Sequence, residues 1–224
     1  MSFIVAIDGP AGTGKGTITR LISKELGLVN IDTGATYRCV ALNAIRNNIK
    51  LEEQEKIIAS LENIEIDMKN EGGEQKVFLN GEDVSKQIRS KEVSQIVSQV
   101  SSIKEVRYKM VEVQRKLAQG KDVIMEGRDI TTVVFPEANV KIYMDADERV
   151  RAQRRYKEMQ EKGIQMTYEE VLKNIQARDK NDKEKEVGAL KIAEDAIYLD
   201  TTGLSIEEVK DKILNIIKDI KNKL

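Results

Sequence analysis

Apolar positions along this chain follow two rhythms. Short continuous runs at Phe3–Ile7, Leu28–Ile31, Asp122–Met125, Val140–Met144 and Ala196–Leu199 predict five strands. Such runs fit strands buried on both faces. Between them the spacing changes to three and four, which predicts helices. The first covers Thr17–Leu26, with Gly27 as its stop, and a second follows Arg38 to about Asn48. The stretch Lys91–Leu117 is also helical, and Ser102 with Glu105 is spaced as a capping box that would start a second helix there. Two more helices are predicted at about Asp147–Lys162 and Thr167–Asp182, and Thr167 with Glu170 caps the latter. Ser205 with Glu208 caps the last one, whose Val209, Ile213, Ile216, Ile217 and Ile220 share a face.

The rhythm changes once, near Ile64. Ile64, Ile66 and Met68 alternate with Glu65 and Asp67, Glu71-Gly72-Gly73 reads as a turn, and Val77-Phe78-Leu79 reads as a returning strand ending at the tight turn Asn80-Gly81. This antiparallel meander, at about 64–84, belongs to an inserted subdomain expected over about 64–100 of a single domain spanning 1–224. Strands alternating with helices predict a three-layer α/β sandwich: a five-stranded parallel sheet with helices on both faces. Ligands bind such sheets at the C-terminal ends of the strands. The segments there are Gly9–Thr17, Asp32–Arg38, Glu126–Asp129 and Asp145–Arg155, all rich in glycine, arginine or acid.

Composition narrows the chemistry. Lys plus Arg number 37 and Asp plus Glu 38, a net charge of −1. No broad polyanion-binding surface follows, and nucleic acid is not an expected partner. The chain has one cysteine, Cys39, read as a small buried residue in a reducing compartment. No apolar run approaches the ~18 residues of a membrane span. No secretory leader is read at the start, so the expectation is a cytoplasmic monomer that engages no membrane. Histidine is absent. Ser-His-Asp, Cys-His and His-metal chemistry are therefore excluded, leaving electrostatics, positioning or carboxylates.

Gly9-Pro10-Ala11-Gly12-Thr13-Gly14-Lys15-Gly16-Thr17 stands between the first strand and the first helix, the layout of a phosphate-binding loop, or P-loop. Glycines let successive N–H groups face one concavity, the helix N-terminus adds its dipole, and Lys15 adds a full charge. The hydroxyl comes one position late, at Thr17. Arg38 follows strand two and Arg128 ends strand three. Arg151, Arg154 and Arg155 share one helix face, with Glu148, Glu158 and Glu161 as alternative partners on a solvated surface. Arginine's planar fork suits phosphate. A triphosphate loop plus distant arginines suggests a second phosphate and transfer between the two. Arg178 and Asp182, at i and i+4, read on their own as a surface ion pair.

The loop, with Asp32-Thr33-Gly34-Ala35-Thr36-Tyr37-Arg38, Glu126-Gly127-Arg128-Asp129, Thr132-Val133-Val134-Phe135-Pro136 and Arg178-Asp179, resembles the bacterial cytidylate kinase family of nucleoside-monophosphate kinases. The resemblance covers nearly the whole chain, meander included. It implies phosphorylation of CMP and dCMP by ATP with Mg²⁺. Gly9–Thr17 would hold the ATP phosphates, with Lys15 catalytic and Thr17 at the metal. Arg38, Arg107 and Arg128 would grip the acceptor phosphate. Ser98 and Asp129 would face the cytosine, Thr33 and Tyr37 would line the pocket, and Arg178 and Asp182 would reach the ribose. Arg151, Arg154 and Arg155 would lie on a lid at about 149–168 and share the catalytic work with Lys15 and Arg128.

The sequence departs from the family pattern at Glu126, usually Asp; at Thr131, usually Gly; at Lys185, usually an Arg near the base; and at Gly188-Ala189-Leu190, commonly Ala-Pro-Leu. Thr131 would place a branched side chain beside the acceptor site and disfavour a positive φ there. Lys185 lacks the planar fork. Two other readings stay open: a P-loop kinase with a different small acceptor, and a nucleotide-binding module acting through partners.

Overall fold

The computed structural model describes residues 2–71, 74–161 and 163–223. In chain order its elements are β1 (Ile4–Asp8), α1 (Lys15–Leu26), β2 (Val29–Asp32), α2 (Thr33–Arg46), α3 (Gln54–Ser60), β3 (Ile66–Glu71), β4 (Glu74–Leu79), β5 (Glu82–Asp83) and α4 (Lys91–Val100). Then follow α5 (Lys104–Ala118), β6 (Val123–Gly127), β7 (Val140–Asp145), α6 (Glu148–Glu161), α7 (Tyr168–Glu184), β8 (Ile197–Asp200) and α8 (Ile206–Lys221). Five strands pair in parallel in the order β2-β6-β1-β7-β8. The apolar run Phe3–Ile7 thus lies at the centre, where Val5, Ala6 and Ile7 are fully buried. One face packs Val5, Ile7 and Ile142 against Ile18 and Ile22 of α1 and Val209, Ile213 and Ile217 of α8. The other packs Ala6, Val123 and Met125 against Val40 and Ala44 of α2 and Val106 and Met110 of α5. Each such aliphatic side chain contributes about 1.5–3 kcal/mol of burial, so both helix layers are firmly held to the strands that carry the site.

The inserted meander is a separate antiparallel sheet in the order β3-β4-β5. Asn80 and Gly81 take positive φ of 51° and 82°, as the tight turn requires. The turn read at Gly72-Gly73 lies outside the described residues. The capping boxes at Thr167/Glu170 and Ser205/Glu208 are formed. The one read at Ser102/Glu105 is not: Ile103 occupies the cap position of α5, and Ser102 instead donates to the carbonyl of Ser98 at 2.9 Å. Two helices do meet there. Helix α3 carried no periodic signal strong enough to be read from sequence, since it is short and buries only Ile57.

β1 ends at Asp8, which is fully buried. Its carboxylate accepts the N–H groups of Ile130 and Thr131, at 3.0 and 2.7 Å, and the Thr131 hydroxyl at 2.7 Å. Those donors sit on one wide helical turn, residues 130–134, that follows β6. Thr131 therefore does not stand in the acceptor site, and its backbone is not left-handed. It binds β1 to the segment that carries Arg128 and Asp129.

Candidate active site

The loop between β1 and α1 has the conformation its glycines permit. Gly9 has φ 150°, and a Cβ there would overlap the Met144 carbonyl of the neighbouring strand. Gly14, at φ 91°, turns the chain into α1 without a capping side chain. Among the described residues, no protein acceptor meets the N–H groups of residues 12–16. This open row of donors at a helix start is a cradle for an anion. Lys15 is folded back across it: Nζ donates to the carbonyls of Gly9 and Pro10, both at 2.8 Å, and to the Thr13 hydroxyl at 3.2 Å. Burial, with Arg128 adding repulsion against the pull of Glu126 and Asp8, lowers the Lys15 ammonium to about 7. Glu126 stands alongside, its Oε1 2.6 Å from where a Cβ on Gly16 would lie. Burial and the nearby Asp32 push its carboxyl up to about 7, against Lys15 and Arg128. Thr17, on the first turn of α1, is half-buried, and its hydroxyl has no partner among the described residues.

Beyond Glu126 opens a cavity of about 200 Å³ between α2, α4, the end of β6 and α7. Thr33, Tyr37, Arg38, Ser98, Arg107, Arg128, Asp129, Arg178, Asp182 and Lys185 all line it, so the predicted acceptor residues converge on one space. Its cations are six, Arg38, Arg89, Arg107, Arg128, Arg178 and Lys185, against four acids, Asp32, Glu126, Asp129 and Asp182. They are unevenly matched. Arg107 is 2% exposed, donates to Asp129 and, at 3.1 Å, to the Ser101 carbonyl, and lies over the Tyr37 ring at 5.2 Å. Gly188, at φ 66°, packs against this ion pair so closely that a Cβ would overlap both side chains, which accounts for glycine at that position. Asp182 is 3% exposed, far from the surface ion pair its spacing suggested. It accepts Arg128 Nε and Lys185 Nζ at 2.8 Å each, with Arg178 at 4.0 Å. Burial alone would raise its carboxyl, but those three cations hold it well below the usual carboxylate range.

Among the described residues, Arg38 has no carboxylate within ion-pair distance, and Arg178 has only the shared Asp182 at 4.0 Å. Arg38 donates to the Ile88 carbonyl at 3.3 Å and the Ser94 hydroxyl at 3.0 Å. Burial lowers it, and Arg89, Arg155 and Arg128 add to that against the pull of Asp32. Arg178 is lowered to about 10 by burial and then by Arg128, with Arg38 and Arg155 contributing and Asp182 opposing. Positive charge thus outweighs negative charge on this side of the cavity.

Three of the four arginines of α6, Arg151, Arg154 and Arg155, divide their work. Arg151, 6% exposed, donates to the carbonyls of Ala146 and Ala11, at 2.9 and 3.0 Å, and to Asp179 at 2.5 Å. Asp179 also accepts the Ala11 N–H at 3.3 Å. This pair staples the loop to α6 and α7 together. Arg154 donates to the carbonyls of Thr13 and Thr201 at 3.4 and 2.7 Å. Only Arg155 takes a solvated partner of the kind read from sequence, Glu158 at 2.7 Å. The role of Asp179, within the Arg178-Asp179 motif, is visible only in these tertiary contacts. Asn181, Ser101 and Arg89 were missed entirely, since each acts through a partner remote in sequence.

The family model for cytidylate kinase matches residues 5–219. The chain is 50% identical over 212 residues to the cytidylate kinase of Caldicellulosiruptor saccharolyticus, covering 95% of this chain and 94% of that one. Over 220 residues it is 47% identical to that of Fusobacterium nucleatum, covering 98% and 99%. A gluconokinase from Sinorhizobium meliloti superposes with a TM-score of 0.51 at 12% identity, covering 99% of this chain and 94% of that one, a likeness of fold alone. Matching along nearly its whole length, this chain belongs to the cytidylate kinase family and is a nucleoside-monophosphate kinase.

Proposed function

We propose that the enzyme moves the terminal phosphoryl group of ATP onto the phosphate of CMP or dCMP, giving ADP and CDP or dCDP. The observation that carries this reading is the Arg38–Arg178 deficit: half-buried guanidiniums lining the cavity at the C-terminal end of the sheet, of which Arg38 has no carboxylate within ion-pair distance among the described residues and Arg178 has only Asp182 at 4.0 Å, already shared with Arg128 and Lys185. A phosphate monoester, dianionic above its second pKa of about 6, supplies the missing charge. The loop then binds the donor. Its free N–H groups take the phosphate oxygens, and Lys15 exchanges its loop carbonyls for them. No general base is needed, because the acceptor oxygen is already ionised, and the absence of histidine is no obstacle. Arg128, between Lys15 and Asp182, lies where donor and acceptor charges meet.

The donor set also fits Mg²⁺. The unengaged Thr17 hydroxyl and the Glu126 carboxylate beside Gly16 are hard oxygen ligands, and Mg²⁺ usually needs only one or two from protein beside phosphate and water. Bound there, the ion would neutralise charge on the transferring group. We assign residues 149–168 as the lid, with Arg155, whose partner Glu158 lies on the same helix, positioned to swing onto the phosphates. The test is ATP-dependent product formation with CMP, dCMP, UMP and AMP in parallel. CDP and dCDP are expected at the highest kcat/KM, and Lys15→Ala should lower CDP formation by ~10²-fold or more. Turnover best with another acceptor, or a Lys15→Ala enzyme within about threefold of wild type, would overturn the reading.

A further inference from the structure

Where α4, α5 and α7 meet at the cavity, the hydroxyls of Ser98, Ser101 and Ser102 are linked in one network. Ser101 and Ser102 each donate to the Ser98 carbonyl at 2.9 Å. Each has a single proton, so each must accept elsewhere. Ser101 accepts Lys185 Nζ at 3.1 Å, and Ser102 accepts the Asn181 amide at 3.3 Å. The same Asn181 NH₂ lies 2.7 Å from Ser98 Oγ and 3.4 Å from the Ser98 carbonyl. Turning the amide round would set its oxygen against both the Ser98 carbonyl and the Ser102 oxygen, whose proton is already committed, so the donating orientation is the better bonded one. Asn181 therefore donates to Ser98 Oγ. The Ser98 hydroxyl, on the cavity wall, donates to no protein group among the described residues.

We infer that Asn181 is a positioning residue for base selection: it fixes Ser98 as a hydrogen-bond donor toward the bound base, so the pocket accepts a ring nitrogen that bears a lone pair and rejects one that bears a proton. This inference rests on the cytidylate reading above. Cytosine N3 is an acceptor, whereas uracil N3 carries hydrogen. A pocket built around a committed hydrogen bond discriminates strongly against a partner of the wrong polarity, because the mismatch leaves buried groups unpaired.

The test reverses the polarity. In Asn181→Asp the carboxylate can only accept, so Ser98 turns its proton to residue 181 and presents a lone pair to the cavity. In Asn181→Leu the hydroxyl is free to rotate. We expect the CMP to UMP ratio of kcat/KM to fall by about tenfold or more in Asn181→Asp and by less in Asn181→Leu. In a Ser98→Ala background, the Asp substitution should leave the ratio unchanged. Thermal melting identifies folded variants, and if Asn181→Asp does not fold, Asn181→Leu decides. A wild-type ratio in the folded variants overturns the inference, as does a fall that persists without Ser98, which would place the effect in general packing. A wild-type enzyme with no preference for CMP over UMP overturns the cytidylate reading and this inference together.

Discussion

Replacing Thr131 by valine tests whether this residue serves the fold or the acceptor site. Valine keeps the shape and the N–H donated to Asp8, and removes only the hydroxyl donor at 2.7 Å. A hydrogen bond to a charged group is worth about 1.5–3 kcal/mol. In a chain of this length each kcal/mol shifts Tm by about 2–4 °C, so Thr131→Val should melt about 3–12 °C below wild type. The deficit should also depend on pH. Burial raises the Asp8 carboxyl above its ordinary 3.8, and the bonds from Thr131 and Ile130 oppose that rise. A carboxyl with a raised folded pKa keeps a proton that the unfolded chain has lost, so stability falls as pH climbs through that window. Losing the hydroxyl raises the folded pKa further and extends the window upward. The variant's deficit should therefore be largest where Asp8 is ionised and shrink on acidification. Urea denaturation across a series of pH values reads it directly. A deficit that does not change with pH, or none at all, would refute the assignment of Thr131 to Asp8. Activity with CMP should stay within about threefold below the melting range, and a large rise in KM alone would return Thr131 to the acceptor site.

Two further perturbations address the donor end. Lys15 sits near pKa 7 without ligand, so at pH 8 it is mostly neutral, and phosphate oxygens should recharge it. Calorimetry of ATP binding at pH 8, in buffers of differing ionisation enthalpy, should show net proton uptake that Lys15→Ala abolishes; zero uptake or release in wild type would contradict this. Asp179→Asn leaves Arg151 buried without its carboxylate and should destabilise the protein by about 3–5 kcal/mol, while Arg151→Met with Asp179→Leu should recover most of that loss in the same melts. A fall below about 1 kcal/mol in Asp179→Asn would show that the staple is not formed in solution.

The sheet was legible because buried parallel strands are continuous apolar runs, and Phe3–Ile7 and Val140–Met144 have almost no other reading. The phosphate loop was legible because its chemistry is local: glycines, lysine and a helix start within nine residues. The rest required tertiary contacts. Thr131 looked misplaced beside the acceptor because its partner, Asp8, lies 123 positions away at the end of a different strand. Arg178 and Asp182 looked like a surface pair because periodicity does not say which face of a charged helix is covered. Ser102 and Glu105 had the right spacing for a cap, but the hydroxyl found a better acceptor in the exposed carbonyl of Ser98 at the end of α4. In each case a local rule lost to a partner that only the fold supplies.

The two ends of the site differ in how their positive charge is met, and this sets how each binds phosphate. At the donor end Lys15 is satisfied by the carbonyls of Gly9 and Pro10, and Arg151 by Asp179 and Ala11. A phosphate arriving there exchanges one set of hydrogen bonds for another, so Lys15 contributes less to ground-state affinity than a bare ammonium would. Its full charge counts most when the transferring group spreads its own charge and the carbonyls no longer compete. At the acceptor end Arg38 has only the Ile88 carbonyl and the Ser94 hydroxyl to exchange, and Arg178 only a 4.0 Å contact with Asp182. On the proposed reading, a monophosphate there would relieve repulsion among these cations, and the two residues would act through binding. Removing either should raise KM for the acceptor more than it lowers kcat, whereas losing Lys15 should lower kcat more than it raises KM for ATP. The division follows from which cations the fold has already paired.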